Sequence, residues 1–127
     1  MAKILVYNVP EGEKLKRIRA ISLRRGIECR HVAYPEYGHP LGYLCAREGY
    51  APAPVYTGPD FAEEMLLLEG MSSVQLSDLL DELRAAGAAV ALKAVLTDTN
   101  AAWSSVLLHA AIRQEHRTMQ ALKDKKR

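Results

Sequence analysis

Six hydroxyl and amide side chains stand where apolar runs give way to helical patterns. Asn8 follows Ile4-Leu5-Val6-Tyr7, Ser72 and Ser73 follow Met65-Leu66-Leu67-Leu68-Glu69-Gly70, and Thr97, Thr99 and Asn100 follow the run ending at Leu96. At a strand-to-helix turn such groups lie beside free backbone N–H donors and the positive end of a helix dipole, a setting suited to a carboxylate or phosphate. The same residue types also cap helices, each cap contributing about 1 kcal/mol whether or not anything binds. Lys93 is the one charge in Val90–Leu96. Buried, it would need a carboxylate or carbonyl partner or would lose its proton. Glu69 on the neighbouring strand offers the first, and an extended stem reaching water is the other way out.

The remaining reactive residues form no recognisable catalytic set. Cys29, His31, His39 and Cys45 lack the paired close spacing of a zinc site, and His109 and His116 lie two helical turns apart. Cys45 sits among Gly42-Tyr43-Leu44 and Ala46 and reads as a small buried hydrophobe. No glycine-rich phosphate loop of the dinucleotide or nucleotide-triphosphate kind occurs. Asn8-Val9-Pro10, after the first strand, lacks the paired acids of a magnesium site. The expectation is a non-catalytic module without metal or cofactor, binding a small anionic ligand at the strand-end edge. A protein partner or a homodimer is the other kind of association considered. An enzyme of unfamiliar type, using Lys93 or the polar edge, is the alternative.

At 127 residues the chain fits a single α/β domain over 1–127, and its 49 % apolar and 25 % charged content is that of a globular protein. Two cysteines without a close pair suit a reducing compartment, and no apolar run approaches a bilayer span, so a cytoplasmic protein without membrane contact is expected. The net charge of +2 conceals an uneven distribution. Lys14, Lys16, Arg17, Arg19, Arg24 and Arg25 crowd one early helical stretch. A second basic run closes the chain, and the acids gather between Asp60 and Asp98. Weak nucleic-acid binding through the basic helix and tail is a third reading, disfavoured because charge is nearly balanced overall and the bases lie apart from the aromatic residues.

Four strands are predicted at Lys3–Val9, Ile27–Ala33, Glu64–Leu68 and Val90–Leu96. Helices follow at Glu11–Arg25, at about Leu41–Glu48, after Ser72, and from about Asn100 to Leu122. The early helix carries Leu15, Ile18 and Ile21 or Ser22 on its inner face and stops at Gly26. The third has the clearest signature: Ser72-x-x-Gln75 as a capping box, Leu76, Leu79, Leu80 and Leu83 at helical spacing, and Gly87 as the stop. On the last helix Trp103, Val106, Leu107 and Ala110 form the expected stripe, and the basic tail over about 117–127 is expected to fray. Alternating strand and helix patterns predict a small, four-stranded, mostly parallel sheet with helices on both faces, wound like flavodoxin with the second strand at an edge. A ferredoxin-like α+β fold, with strands two and three antiparallel and helices on one face, is the alternative.

Tyr34–Pro59 differs in character, holding five of the six prolines with Tyr34, Tyr37, Tyr43, Tyr50 and Tyr56. A loop of that length is functional or disordered. Tyr37 and Tyr43 are expected as loop contacts covering the ligand. Met65–Gly70, Leu79-Leu80-Asp81-Glu82-Leu83-Arg84 and, most specifically, Leu92-Lys93-Ala94-Val95-Leu96-Thr97 with Asn100-Ala101-Ala102-Trp103 carry a resemblance. Over about Met65 to Glu115 the chain resembles the bacterial family known as domain of unknown function 3783. The resemblance implies a folded bacterial domain and brings no activity, ligand or catalytic residue with it.

Overall fold

Ile4-Leu5-Val6-Tyr7 and Met65-Leu66-Leu67-Leu68 are inaccessible on both faces, which only the inner strands of a covered sheet permit. In the computed structural model, which describes residues 1–125, these runs form β1 (Lys3–Tyr7) and β3 (Met65–Glu69) at the centre of one sheet. The shorter and more polar β2 (Glu28–His31) and β4 (Leu92–Val95) take the edges, in the order β2-β1-β3-β4. β2 runs parallel to β1 and β4 parallel to β3, but β1 and β3 are antiparallel, with Lys3 opposite Glu69 and Tyr7 opposite Met65.

The expected fold is thereby corrected in one respect. The sheet is mixed rather than mostly parallel, although the second strand lies at an edge and helices cover both faces. The path of Tyr34–Pro59 supplies the reason. β2 ends beside Val6, and the chain then crosses one face to the opposite rim, where the backbone carbonyl of Cys45 accepts from Lys3 and Arg47 reaches Glu69. It crosses back so that Phe61 and Glu63 lie against Asn8. Two crossings return the chain to the rim where β2 ended, so β3 must run the other way. The ferredoxin-like alternative contained this reversal but not the second covered face.

One face is covered by α1 (Glu13–Arg24) and α3 (Ser73–Ala85). Ile4, Val6, Leu66 and Leu68 meet Leu15, Ile18, Ile21, Leu79 and Leu83 there. Ser22, inside this layer, satisfies its hydroxyl by donating to the Ile18 carbonyl at 2.7 Å. α3 begins with the reciprocal Ser72–Gln75 box that the spacing predicted. Both helices end on a glycine in the left-handed region, Gly26 at φ 69° and Gly87 at φ 71°.

The other face is covered by the aromatic segment, by α2 (Leu41–Leu44) and by α4 (Ser105–Lys125). Of the segment expected as a loop, the first part packs as a layer, whereas residues 47–60 have neither helix nor strand and are largely exposed. Tyr37 is 1 % exposed and stacks on Phe61 at 4.9 Å, and Tyr34, Tyr56 and Tyr7 complete the ring cluster. α4 begins later than predicted. Asn100–Ala102 form a separate 3-10 turn, Trp103 is extended, and the Ser104 hydroxyl accepts from the Leu107 N–H at 3.2 Å. The shift rotates the buried stripe to Ser105, Leu108 and Ile112 and leaves Leu107 half exposed. α4 is helical to Lys125, and residues 117–123 of the tail expected to fray are exposed; residues 126 and 127 lie outside the described residues. Among the described residues no helix is long and apolar enough to cross a membrane.

The two halves repeat one plan. Each is a centre-to-edge strand–helix–strand unit, and an approximate two-fold through the Leu5–Leu67 pair exchanges them. Asn8 and Gly70, both left-handed, end the first strand of each half. Ile27 N–H to Ser22 and Ala88 N–H to Leu83 close the helices, both at 2.8 Å, and Val32 to Val6 and Leu96 to Leu68 prolong the outer strands, both at 2.9 Å. Leu41 N–H to Trp103 and Ser105 N–H to Tyr37 then tie each half's following segment to the other.

Candidate functional site

The reversal at the sheet centre divides the polar residues picked out by sequence between two rims. One rim holds the carboxyl ends of β3 and β4, with Ser72, Ser73, Thr97, Thr99 and Asn100. Asn8 lies at the other, past the end of β1. Ser72 spends its hydroxyl as the α3 cap. Asn100, 8 % exposed, accepts from Thr97 N–H at 2.8 Å and donates to the Val95 carbonyl at 3.0 Å, while the Thr97 hydroxyl accepts from Asn100 N–H. Ser73 and Thr99 are exposed, and Thr99 makes no side-chain cap. Asn8 donates to Phe61 and Glu63 carbonyls at 2.7 and 3.1 Å and accepts from the Tyr37 hydroxyl at 3.2 Å, clipping the returning segment to β1. Lys93 stands exposed on edge strand β4, opposite Leu66 in register, and donates to the carbonyls of Val90 and Ala91 rather than to Glu69. Exposed to water, it follows the second of the two fates expected for it, with the ammonium held by carbonyls of its own segment.

Glu69 pairs with Arg47 instead, at 3.0 Å, and Arg47 also reaches Asp98 at 3.2 Å. Arg47 borders a cleft of about 490 Å³ at the β2 edge of the same rim as Ser72. Its floor is laid by strand register: Lys3 lies opposite Glu28 and Leu5 opposite Arg30, with Leu5 facing the aromatic layer. Its wall is the turn from Tyr43 to Tyr50. That turn is held by cations at the carboxyl end of α2, where carbonyls concentrate partial negative charge. Lys3 donates to Cys45, and Arg30 donates to Leu44 at 3.2 Å and pairs with Glu36. Ala46 leaves the helix at φ 60°, a left-handed conformation that costs an alanine about 1 kcal/mol. The Tyr50 ring rests on Gly42, whose missing Cβ would come within 2.6 Å of it.

Lys3, Arg30 and Arg47 therefore outnumber Glu28 along a lining completed by Tyr43 and Tyr50. Glu36, Glu69 and Asp98 pair with the two guanidiniums but are not part of that lining. Of the expected loop contacts, Tyr43 lines the cleft, half exposed with its ring 4.8 Å from that of His39, and Tyr37 is in the core. Beneath the wall Cys45 is 2 % exposed, and burial, followed by the Glu69 charge, pushes its thiol up to about 11, so it is no nucleophile at neutral pH. Lys3, Glu28, Arg30 and Arg47 escape sequence reasoning, whereas Tyr50 is among the loop tyrosines it singles out. The available signal is the one that marks Lys93, a charge inside a strand pattern, which Lys3 and Arg30 share.

At the opposite rim Glu63 joins His109 at 3.0 Å and Arg113, and the Phe61 ring stacks on His109 at 3.9 Å. Burial lowers the His109 pKa. This cluster fastens α4 to the start of β3. Among the described residues no three histidine, cysteine or carboxylate side chains stand together as a metal set.

Residues 64–119 match the family described as Domain of unknown function (DUF3783), the stretch over which the resemblance lies. The match begins at β3 and ends within α4, so it covers the second of the two repeated halves. No curated protein and no solved structure matches the chain.

Proposed function

We propose that the protein is a non-catalytic binding module whose cleft at the β2 edge holds a small anionic ligand. One observation carries this reading: Lys3, Arg30 and Arg47, from three separate segments, converge on a single concave surface with two tyrosine rings. An ammonium has three N–H donors and a guanidinium five. The internal partners found for these groups use one from Lys3 and two from each arginine, so donors remain for an anion. Charge-assisted bonds to a carboxylate or phosphate are the strong kind. The basic helix α1 is a weaker claimant, since Lys14, Arg17, Arg19, Arg24 and Arg25 are each ion-paired with Glu64, Glu13, Glu11 or Glu82.

The test is thermal unfolding across a panel of carboxylates, inorganic phosphate and sugar phosphates. Stabilisation by phosphate compounds is expected, lost in Arg47→Gln and retained in a Ser72→Ala, Thr99→Ala double variant. No stabilisation by any compound, or stabilisation indifferent to Arg47→Gln, would overturn the reading.

A further inference from the structure

We infer that the cleft selects a ribonucleoside monophosphate: phosphate on the cations, sugar diol on Glu28, base on the Tyr43 ring. This deepens the anion-binding reading and rests on it. Three features separate such a ligand from a bare anion.

The first is size. A cleft of about 490 Å³ far exceeds one phosphate group and falls in the range of small-molecule sites. The second is Glu28. A carboxylate facing an anion site repels the anion unless it serves another part of the ligand. Glu28 is exposed at the first position of β2, opposite Lys3, and among the described residues it has no ion pair or side-chain hydrogen bond. An ionised carboxylate only accepts, and a vicinal diol presents two adjacent donors to it. The third is the ring wall. Tyr43 lines the cleft with 37 % of its surface exposed, and the His39 ring meets it at a tilt of 55°, so the tyrosine ring is not closed off by face-to-face stacking. Purine and pyrimidine bases stack on such faces with little regard to sequence.

The charge supply argues for one phosphate rather than several. Arg30 and Arg47 are already paired with Glu36, Glu69 and Asp98, so among the described residues Lys3 is the one cation of the lining without a carboxylate partner, and the cleft lacks the charge for more than one phosphate group. The absence of a glycine-rich phosphate loop agrees, because a di- or triphosphate ordinarily needs a cradle of backbone N–H groups.

Calorimetric titration of the full chain decides the matter, using inorganic phosphate, ribose 5-phosphate, adenosine monophosphate and its 2′-deoxy counterpart. Glu28→Gln and Tyr43→Ala are the variants; both sites are exposed, and circular dichroism checks that each remains folded. Adenosine monophosphate should bind tighter than ribose 5-phosphate by on the order of tenfold to a hundredfold, the worth of one stacked base. Tyr43→Ala should erase that difference. Glu28→Gln should erase the preference of ribose over deoxyribose while leaving ribose 5-phosphate and inorganic phosphate able to bind. Equal binding of ribose 5-phosphate and adenosine monophosphate, or a ribose preference unmoved by Glu28→Gln, would overturn this inference and leave the anion site standing. Failure of all four compounds to bind would overturn both.

Discussion

Replacing Asn8 with alanine removes a clip rather than a binding group, and its cost can be worked from the structure. The amide donates to Phe61 and Glu63 carbonyls and accepts from the Tyr37 hydroxyl. At about 1 kcal/mol net for each hydrogen bond, the three contribute about 3 kcal/mol. Asn8 also sits at φ 62°, which asparagine tolerates and alanine adopts at a further cost of about 1 kcal/mol. Asn8→Ala should therefore lose about 4 kcal/mol in urea unfolding, which is on the order of 10–20 °C in Tm for a domain of this size. Asn8→Gly loses the same bonds without the backbone strain and should be about 1 kcal/mol milder. The expected ranking is wild type, glycine, alanine, with unchanged dependence on denaturant concentration. Equal losses for the two variants would refute the strain argument. A loss below about 1 kcal/mol in both would refute the clip.

Three shorter expectations concern other elements. Ser72→Ala should cost about 1 kcal/mol through the lost α3 cap, read by urea unfolding, and Ser72→Asp should restore it. Burial lowers the folded-state pKa of His109 below the unfolded value near 6.5, so the unfolded chain binds the proton more readily. Stability should fall as pH drops from 7 towards 5, and His109→Gln should flatten that part of the profile; Glu63 and Arg113, which face His109, carry opposite charges and largely offset each other. Cys45, with its thiol raised to about 11, should resist a thiol reagent at pH 8 in the native protein and react at once in denaturant.

The elements with local causes were legible in the sequence. The α1 face of Leu15, Ile18 and Ile21, the Ser72–Gln75 box and the glycine stops at Gly26 and Gly87 need only neighbouring residues to declare them. The direction of β3 was not, because it depends on how many times a long segment crosses the sheet, which no local pattern encodes. Tyrosines among prolines and glycines read as a loop. They form a core layer here because the second sheet face has no helix over β1 except the single turn of α2, and aromatic rings fill that space. The start of α4 was misread because Asn100 and Ser104 are both cap-type residues four apart, and choosing the first builds the predicted stripe on Trp103, which is extended rather than helical. The cleft was illegible for a different reason. Lys3 meets Glu28, and Arg30 and Arg47 meet the same hollow, only through strand register and the turn at Ala46.

The antiparallel join between β1 and β3 bears on synthesis as well as on the finished molecule. When residues 1–60 have left the ribosome and β3 has not, β1 has its partner on one side only, and the edge destined for Met65–Glu69 is an open row of amides beside Ile4-Leu5-Val6-Tyr7. That is the kind of edge through which nascent chains cross-associate. The window closes only after β3 emerges, so slowing translation before Met65–Glu69 have left the ribosome should raise the aggregated fraction, whereas slowing after that point should leave it unchanged.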